Sequence, residues 1–262
     1  MTERPLNIWR TKRKVLTLNI SGENMLTAVL SDIHGNLEAL EAVREDLQSF
    51  AVSRIVCLGD MIGYGPDPEE VLLQVRTHGA LCCMGNHELG ASSRAERHWF
   101  NATAQKGLDL TRNLLSPDSL AFIAALPRSL VVDGARFVHG FPPESVTSYL
   151  FEQTDAAILN WFAQGEGLTF VGHTHELIKV ALVDGRPERR ELGQETTTVS
   201  GPTIINAGSV GQPRDGDNRA KYLLWDSQAG TVSVRFVRYD IARTVDKIRR
   251  RGFPEYYGTR LW

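Results

Sequence analysis

Short apolar runs alternate with amphipathic segments through the first third of the chain, and this alternation restricts the possible folds more than any other sequence feature. The runs Leu26–Leu30, Arg54–Leu58 and Ala80–Met84 have the length and composition of buried strands. Between them, Asn36–Phe50 and Pro68–Thr77 carry apolar residues at the spacing of a helix face. A strand–helix–strand–helix–strand order predicts a largely parallel sheet with helices packed against it.

The second half of the chain is richer in predicted strands than the first. Asp133-Gly134 and Asp184-Gly185 are typical of two-residue hairpin turns, and a basic helix over residues 241–251 closes the pattern. The predicted strands are Leu130–Val132, Ala135–Val138, Leu168–Val171, Ile178–Val183, Thr203–Ile205, Tyr222–Trp225 and Val232–Val237. The pattern indicates an α/β fold with a strand-rich second half.

Length and composition are those of a chain that forms one domain. The 262 residues include 42% hydrophobic and 23% charged ones, enough to bury a full core without disulfides or a structural metal. We expect a single domain over residues 25–262, with a helical middle region at 94–126. Residues 1–24 precede the first convincing strand, and we interpret them as an extension that is either disordered or the product of an upstream mis-start.

Charge and hydropathy exclude several classes of protein. The 29 basic and 31 acidic residues give a formal charge of -2, whereas a dedicated nucleic-acid binder usually carries a basic stripe. No apolar run reaches the roughly 18 residues that a membrane span requires. Cys57, Cys82 and Cys83 lie in apolar stretches without a Cys-x-x-Cys pair, so we expect buried, reduced thiols in a cytoplasmic protein. The oligomeric state is left open.

Polar residues follow five of the predicted strands, usually beside glycine. Loops at the carboxyl ends of sheet strands are where open α/β folds build their sites. Taken one at a time, a histidine is more often a hydrogen-bonded structural residue, and an aspartate a helix cap or turn former. Such individual roles do not account for a convergence on one edge of the sheet. The motifs are Ser31-Asp32-Ile33-His34-Gly35-Asn36, Gly59-Asp60-Met61-Ile62-Gly63-Tyr64-Gly65, Gly85-Asn86-His87-Glu88, His139-Gly140 and Gly172-His173-Thr174-His175.

Metal binding accounts for the convergence. In two of the motifs, a ligand-x-His pair places two side chains on the same side of an extended chain. Imidazole and carboxylate groups together suit Mn, Fe, Zn or Co. The candidate ligands are too many for one tetrahedral ion, but they suit two ions that share a bridging carboxylate. The candidates are Asp32, His34, Asp60, Asn86, His139, His173 and His175.

The five motifs, in this order, resemble those of the calcineurin-like metallophosphoesterase superfamily over about residues 25–212. The flanking segments 63–68 and 206–214 are similar to its small bacterial and archaeal branch of phosphodiesterases and diadenosine tetraphosphatase-like proteins. The resemblance implies a four-layer α/β/β/α sandwich of two mixed β-sheets flanked by helices. It also implies a metal-dependent hydrolase of phosphoester bonds, a phosphodiesterase or a phosphatase, in which a hydroxide bridging two metals attacks phosphorus.

The resemblance assigns a role to each candidate residue. Asp32, His34, Asp60 and His175 are assigned to one metal, and Asp60, Asn86, His139 and His173 to the other, with Asp60 bridging. His87 is assigned as the catalytic residue near the leaving group. Many relatives carry an aspartate that orients this histidine at the position that Gly63 occupies here. Glu88, Asp67 or the backbone must then orient His87.

The resemblance also implies two divalent ions, with Mn favoured and Fe, Zn, Co or Ni as alternatives. The implied partner is a small-molecule phosphoester or nucleotide substrate, and no membrane is involved. Arg214 is a candidate phosphate clamp, because a guanidinium group offers phosphate a bidentate fork. An equally good interpretation is a solvated loop arginine beside Asp215 and Asp217.

Two other functions stay open as alternatives. An inactive metal-binding scaffold is disfavoured because every implied ligand is present. A nuclease is disfavoured because the chain has no long basic stripe, and the Arg249–Arg251 run fits the solvated end of a helix. Trp99 and Phe100 fit helix-core packing better than a wall that stacks on a nucleobase.

Overall fold

The computed structural model describes residues 15–18 and 26–262. Those parts of the chain contain thirteen strands and eight α-helices. The strands are β1 (Val15–Leu18), β2 (Leu26–Leu30), β3 (Arg54–Cys57), β4 (Leu81–Cys82), β5 (Ser129–Val132), β6 (Ala135–Val138), β7 (Leu168–Val171), β8 (Leu177–Val183), β9 (Arg186–Glu191), β10 (Thr196–Thr198), β11 (Thr203–Ala207), β12 (Ala220–Asp226) and β13 (Thr231–Val237). The helices are α1 (Leu37–Leu47), α2 (Pro68–Thr77), α3 (Asn86–Ser92), α4 (Ala102–Asn113), α5 (Pro117–Ala124), α6 (Asp155–Phe162), α7 (Ile241–Arg250) and α8 (Glu255–Thr259).

The strands form two mixed sheets. The larger sheet has the order β1-β5-β6-β7-β11-β8-β9, and the smaller has the order β10-β13-β12-β2-β3-β4. In the smaller sheet, β2, β3 and β4 pair in parallel, as the alternation predicted. Both predicted hairpin turns are present, because Asp133-Gly134 and Asp184-Gly185 have the positive φ angles of a tight two-residue turn.

The burial pattern shows that the two sheets and their helices form four layers. Along β2, Ala28 and Leu30 pack with α1, α2, α4 and α5, while Val29 packs against the larger sheet. Such alternation follows from the two-residue period of a strand that is buried on both faces. Helix α6 covers the outer face of the larger sheet through Ile158 and Trp161. The α/β/β/α sandwich is therefore confirmed.

Some elements were not predicted from the sequence. These are the short helices α3, α6 and α8, the edge strands β9 and β10, and β1, which pairs in parallel with β5. Part of the predicted extension therefore lies in the larger sheet, while residues 1–14 and 19–25 are outside the described residues. The domain boundary at residue 25 stays a prediction. No helix in the described ranges is long and apolar enough to cross a membrane.

Candidate metal centre

The carboxyl ends of five strands, drawn from both sheets, lead into the loops that hold the candidate ligands. These five strands are β2, β3 and β4 of the smaller sheet and β6 and β7 of the larger sheet. Six of the side chains are buried and that of Asn86 is half-buried. The candidate ligands are Asp32 and His34 after β2, Asp60 after β3, Asn86 after β4, His139 after β6, and His173 and His175 after β7.

The backbone of these loops is strained. Five of the seven candidates have φ angles between 50° and 71°, in the left-handed region: Asp32, His34, Asp60, His173 and His175. A residue with a Cβ costs about 1 to 2 kcal/mol there. Such strain persists only where surrounding contacts enforce it, and it clusters at functional sites. The fold therefore holds these side chains in directions that an unstrained loop would not give them.

Asp32, His34 and His175 form the first cluster. The Nε2 atoms of His34 and His175 lie 3.1 Å apart, and Oδ1 of Asp32 lies 3.2 Å from Nε2 of His175. Nδ1 of His34 donates to the carbonyl of Ile62, and Nδ1 of His175 donates to the carbonyl of Gln212. Because a neutral imidazole carries one proton, the two Nε2 atoms present lone pairs to each other. A cation bound between them removes that repulsion.

His139 and His173 form the second cluster with Asp60 and Asn86. Nε2 of His139 lies 3.1 Å from Oδ1 of Asn86 and 3.2 Å from Nδ1 of His173. Nε2 of His173 donates to the carbonyl of Thr147, so its Nδ1 keeps a lone pair directed at His139. Nδ1 of His139 is buried and has no hydrogen-bond partner among the described residues.

Asp60 lies between the two clusters. Its Oδ2 atom is 3.3 Å from Nε2 of His139 in the second cluster and 3.8 Å from Nε2 of His34 in the first. Its Oδ1 atom accepts the backbone N–H of His87 at 2.9 Å, which fixes the direction of Oδ2. Such a carboxylate is placed to bridge two ions. The donor set, with its facing lone pairs and one shared carboxylate, fits a pair of divalent cations.

Burial and charge set the protonation states that metal binding needs. Burial raises the pKa of Asp60, but His139 and His87 hold that pKa well below its usual value. Burial lowers the pKa of His34 well below its usual value and the pKa of His173 to about 3. Metals bind neutral imidazoles and ionised carboxylates. Burial disfavours the charged form of His139, but the carboxylate of Asp60 raises the pKa of His139 to about 9. The electrostatic environment of the second cluster therefore favours a positive charge.

Glu88 holds the loop that carries Asp60 in place, a structural role that the sequence motif did not reveal. Its carboxylate is fully buried and accepts four backbone N–H groups. The donors, at 2.8 to 3.2 Å, are those of Asp60, Met61, Ile62 and Gly85. Burial and the charge of Asp60 raise the pKa of Glu88 to about 7, while the four donors favour its ionised form. Glu88 thus fixes the loop that carries Asp60.

His87 is held by aromatic rings. Its ring centroid lies 4.5 Å from that of Tyr64 and 5.0 Å from that of Phe100, both edge-to-face. Its Nδ1 is buried, with no hydrogen-bond partner in the described part of the chain. A Cβ atom on Gly63 would lie 2.0 Å from this Nδ1, so the space of a side chain at that position is filled by the imidazole.

Neither acid that the sequence suggested for the purpose hydrogen-bonds to His87. Both oxygens of Glu88 accept backbone N–H groups. Asp67 forms ion pairs through both of its oxygens, at 2.6 Å with Lys247 and at 2.9 Å with Arg251. Of the three alternatives that the sequence left open for orienting His87, the two acids therefore do not contact it through a hydrogen bond, and the ring packs against Tyr64 and Phe100.

Arg214 lies beside the centre and is not paired with its acidic neighbours. Asp215 and Asp217 form ion pairs with other basic residues, while the Arg214 guanidinium donates to a glutamine side chain. Burial raises the pKa of Tyr64 and of Tyr149, and the positive charge of Arg214 opposes both shifts. The backbone N–H of Arg214 donates to the carbonyl of His175 at 3.3 Å, which places Arg214 next to the first cluster. The role of phosphate clamp stays a prediction.

The expectations for Trp99, Phe100 and the Arg249–Arg251 run are met in part. Trp99 is 62% exposed, so the expected core packing is wrong for it, whereas Phe100 is buried against His87 as expected. All three residues of the Arg249–Arg251 run are exposed, as expected for a solvated helix end. Arg251 also pairs with acids on the loop before α2 and on α2 itself, so the exposed run carries ion pairs at its end.

Comparisons with known proteins agree with this geometry. Residues 25–230 match the family model described as the calcineurin-like phosphoesterase superfamily domain. An uncharacterised protein of Methanocaldococcus jannaschii is 35% identical over 245 residues, which is 90% of this chain and 97% of that protein. The family model covers most of the described sandwich, and its range includes all seven candidate ligands.

Solved structures give the same result. The crystal structure of a metallophosphoesterase from Sphaerobacter thermophilus is similar with a TM-score of 0.79 and 36% identity, covering 91% of this chain and 98% of that chain. A hypothetical protein from Pyrococcus horikoshii shares the fold with a TM-score of 0.75 at 18% identity, covering 90% of this chain and 97% of that chain. The chain therefore belongs to the calcineurin-like phosphoesterase superfamily and is a phosphoester hydrolase.

Proposed function

We propose that this protein is a two-metal phosphodiesterase that acts on small, nucleotide-type phosphoesters. The observation that carries the proposal is the pair of buried ligand clusters joined by Oδ2 of Asp60. Two divalent ions held there would supply Lewis acidity and lower the pKa of a water molecule toward neutrality. Mn is the proposed metal, with Fe, Zn, Co and Ni as alternatives, because the donors are imidazole, carboxylate and amide groups without thiolate.

The chain's own residues complete the reaction. A ring nitrogen of His87 lies within 4.8 Å of ligand atoms of His34 and Asp60, so His87 can donate a proton to the departing oxygen. Arg214, beside the clusters, can bind phosphoryl oxygens through its guanidinium fork. The burial of the ligands keeps bulk water from screening these charges.

The proposed setting is the cytoplasm. Its support is that Cys57, Cys82 and Cys83 are all buried, free thiols, as the sequence predicted. Reduced thiols are usual in a reducing compartment. The proposed partner is a small molecule, in keeping with the formal charge of -2, which does not favour a polynucleotide.

Two chromogenic substrates test the proposal directly. Chelator-stripped protein is assayed with bis-p-nitrophenyl phosphate and with p-nitrophenyl phosphate, after addition of Mn, Ni, Co, Zn or Mg. We expect metal-restored cleavage with a preference for the diester. A preference for the monoester would contradict the diesterase assignment, and no turnover with any metal would contradict the enzymatic one.

The role of His87 has a matched test. In His87→Ala, we expect unchanged metal content and turnover lower by about 10² to 10⁴, because the proton donor to the leaving oxygen is lost. His78→Ala is the control, since His78 is an exposed histidine at the end of α2. Equal turnover in the two variants would remove the proposed role of His87.

A further inference from the structure

One lysine is buried between the two sheets, where the alternation along the strand predicts an apolar residue. Lys221 lies on β12, and its side chain is fully buried. Tyr222, the next residue, packs on the helix side, whereas Leu223 packs against the larger sheet, on the side that Lys221 shares. A charged group in such a place costs free energy unless it is paired. Lys221 takes no part in the proposed reaction, so its burial requires another explanation.

Lys221 holds both ends of the loop that joins β11 to β12. Its ammonium group donates to Oδ1 of Asp215 at 2.6 Å and to the backbone carbonyl of Asp217 at 2.5 Å, at the far end of the loop. Its backbone N–H donates to the carbonyl of Ser209 at 3.0 Å, at the near end. The buried charge is therefore paired, and the pairing fixes the course of the β11–β12 loop.

The β11–β12 loop contacts two candidate ligands of the first cluster. The carbonyl of Gln212 accepts the Nδ1–H of His175, and this contact leaves Nε2 of the ring free to bind a cation. The backbone N–H of Arg214 donates to the carbonyl of His175 at 3.3 Å. The backbone N–H of Gly211 donates to the carbonyl of Asp32 at 2.9 Å. The loop thus supports the first cluster from the side chain and from the backbone.

The second cluster has no such support from this loop. Among the described residues, no hydrogen bond joins the β11–β12 loop to Asn86, His139 or His173. Asp60, which serves both clusters, is held by Glu88 instead. A displacement of the β11–β12 loop should therefore disturb the first cluster and leave the second in place.

We propose that Lys221 is a positioning residue for the ion of the first cluster, because it holds the β11–β12 loop against His175. The inference rests on the proposed two-metal function and names a residue that sets the affinity for one of the two ions. Without the ammonium group, Asp215 and the carbonyl of Asp217 lose their shared donor, and the far end of the loop is released. The loop then no longer fixes the tautomer and direction of the His175 ring. Loss of such an outer partner weakens metal binding by about 10- to 100-fold.

Binding of Mn to chelator-stripped protein tests the proposal without any substrate. Lys221→Met replaces the ammonium group by an apolar one of similar length. Isothermal titration calorimetry should then show one site with the wild-type affinity and one site weakened by about 10- to 100-fold. Asp215→Ala removes the other partner of the pair, at a more exposed position, and we expect the same site to weaken. The double variant should be no weaker than Lys221→Met, because both changes break one interaction.

Tyr222→Phe is the matched control on the same strand. The side chain of Tyr222 is also fully buried, and its hydroxyl donates to Asp46 on the helix side. We expect Tyr222→Phe to lower the free energy of unfolding and to leave both Mn affinities unchanged, which separates loss of stability from loss of positioning.

Several results would overturn the proposal. These are Mn affinities in Lys221→Met or Asp215→Ala that equal those of the wild type, an equal weakening of both sites, or the same weakening in Tyr222→Phe. Losses that add in the double variant would also overturn it. A wild type that binds fewer than two Mn ions would instead contradict the proposed two-metal function itself.

Discussion

Asp60 meets several demands at once at the scale of a single residue. Its Oδ2 faces a histidine in each cluster, its Oδ1 accepts the N–H of His87, and its own N–H donates to Glu88. Its φ of 50° lies in the left-handed region. Asparagine tolerates this backbone conformation better than most residues. Replacement by asparagine therefore removes the charge and leaves the loop geometry in place.

We expect Asp60→Asn to release metal and to lower turnover by more than the roughly 100-fold that loss of an outer-shell partner costs. The reason is that one carboxylate serves both clusters. Metal analysis of the purified variant and its rate with bis-p-nitrophenyl phosphate measure the two effects. Asp184→Asn is the control, because Asp184 is a turn residue with a φ of 48° that lies on the β8–β9 hairpin. Full turnover by Asp60→Asn with two bound ions would contradict the bridging assignment.

Gly63 leaves the room that the ring of His87 occupies. It has a φ of +90°, and a Cβ atom would meet Nδ1 of His87 at 2.0 Å. We expect Gly63→Ala to displace His87 and to lower turnover at least tenfold while both ions stay bound, because a misplaced catalytic group loses its alignment. Turnover and metal content are measured together.

The matched control for this prediction is Gly185→Ala. Gly185 also has a positive φ, of +75°, but a Cβ atom there would meet nothing within 4 Å. Both substitutions carry the backbone strain, of about 1 to 2 kcal/mol, and only the first carries the collision with the imidazole. Equal turnover in the two variants would show that the contact with His87 does not matter.

At the scale of elements, helix α7 ties the C-terminal part of the chain to the ligand loops. Lys247 contacts Glu38 at 2.5 Å and Asp67 at 2.6 Å, and both carboxylates are almost fully buried. Tyr257 of α8 contacts Tyr64, which in turn packs on His87. The two C-terminal helices are thus part of the structure that positions His87.

Lys247→Met should destabilise the protein by about 1 to 3 kcal/mol at pH 7, less than for a fully buried pair because Lys247 is partly exposed. Burial raises the pKa of Asp67, and Lys247 opposes that rise. Without Lys247 the pKa rises further. A carboxyl group whose pKa is raised on folding destabilises the folded protein at pH values above its folded-state pKa. This destabilisation disappears below the pKa of the unfolded state. The loss of stability in Lys247→Met should therefore shrink as the pH falls toward 4.

Urea unfolding of chelator-treated protein at pH 7 and near pH 4 measures this dependence. Arg250→Met is the control on the same helix, since Arg250 is 77% exposed and its pair with Asp246 lies at the surface. Such a pair contributes less than about 1 kcal/mol. A Lys247→Met deficit that grows as the pH falls would contradict the burial of an Asp67 carboxylate that keeps only Arg251 of its two cationic partners.

At the scale of the whole molecule, the sequence predicted the features that depend on local pattern. Helix α2 has the predicted bounds, and the motifs after five strands do converge. Strand β9 was not predicted because it is charged along its length and pairs only with β8, a tertiary effect. Helices α6 and α8 were not predicted because they have eight and five residues, too few for a clear period.

The details of the centre depend on contacts between distant segments, which spacing does not encode. Trp99 and Phe100 are neighbours in sequence, yet only Phe100 is buried, because it packs on His87 from another loop. Likewise, the contacts of Tyr64 and Phe100 with His87 depend on packing across three segments. The residue types of the ligands could be predicted, whereas the supports of His87 could not.

A metal titration tests the central claim, that both clusters hold ions needed for hydrolysis. Chelator-stripped protein is titrated with Mn while bound metal and cleavage of bis-p-nitrophenyl phosphate are measured on the same samples. We predict that activity rises with bound metal and saturates at two ions per chain. Activity that survives the chelator, or that saturates at one bound ion, would contradict the two-metal centre.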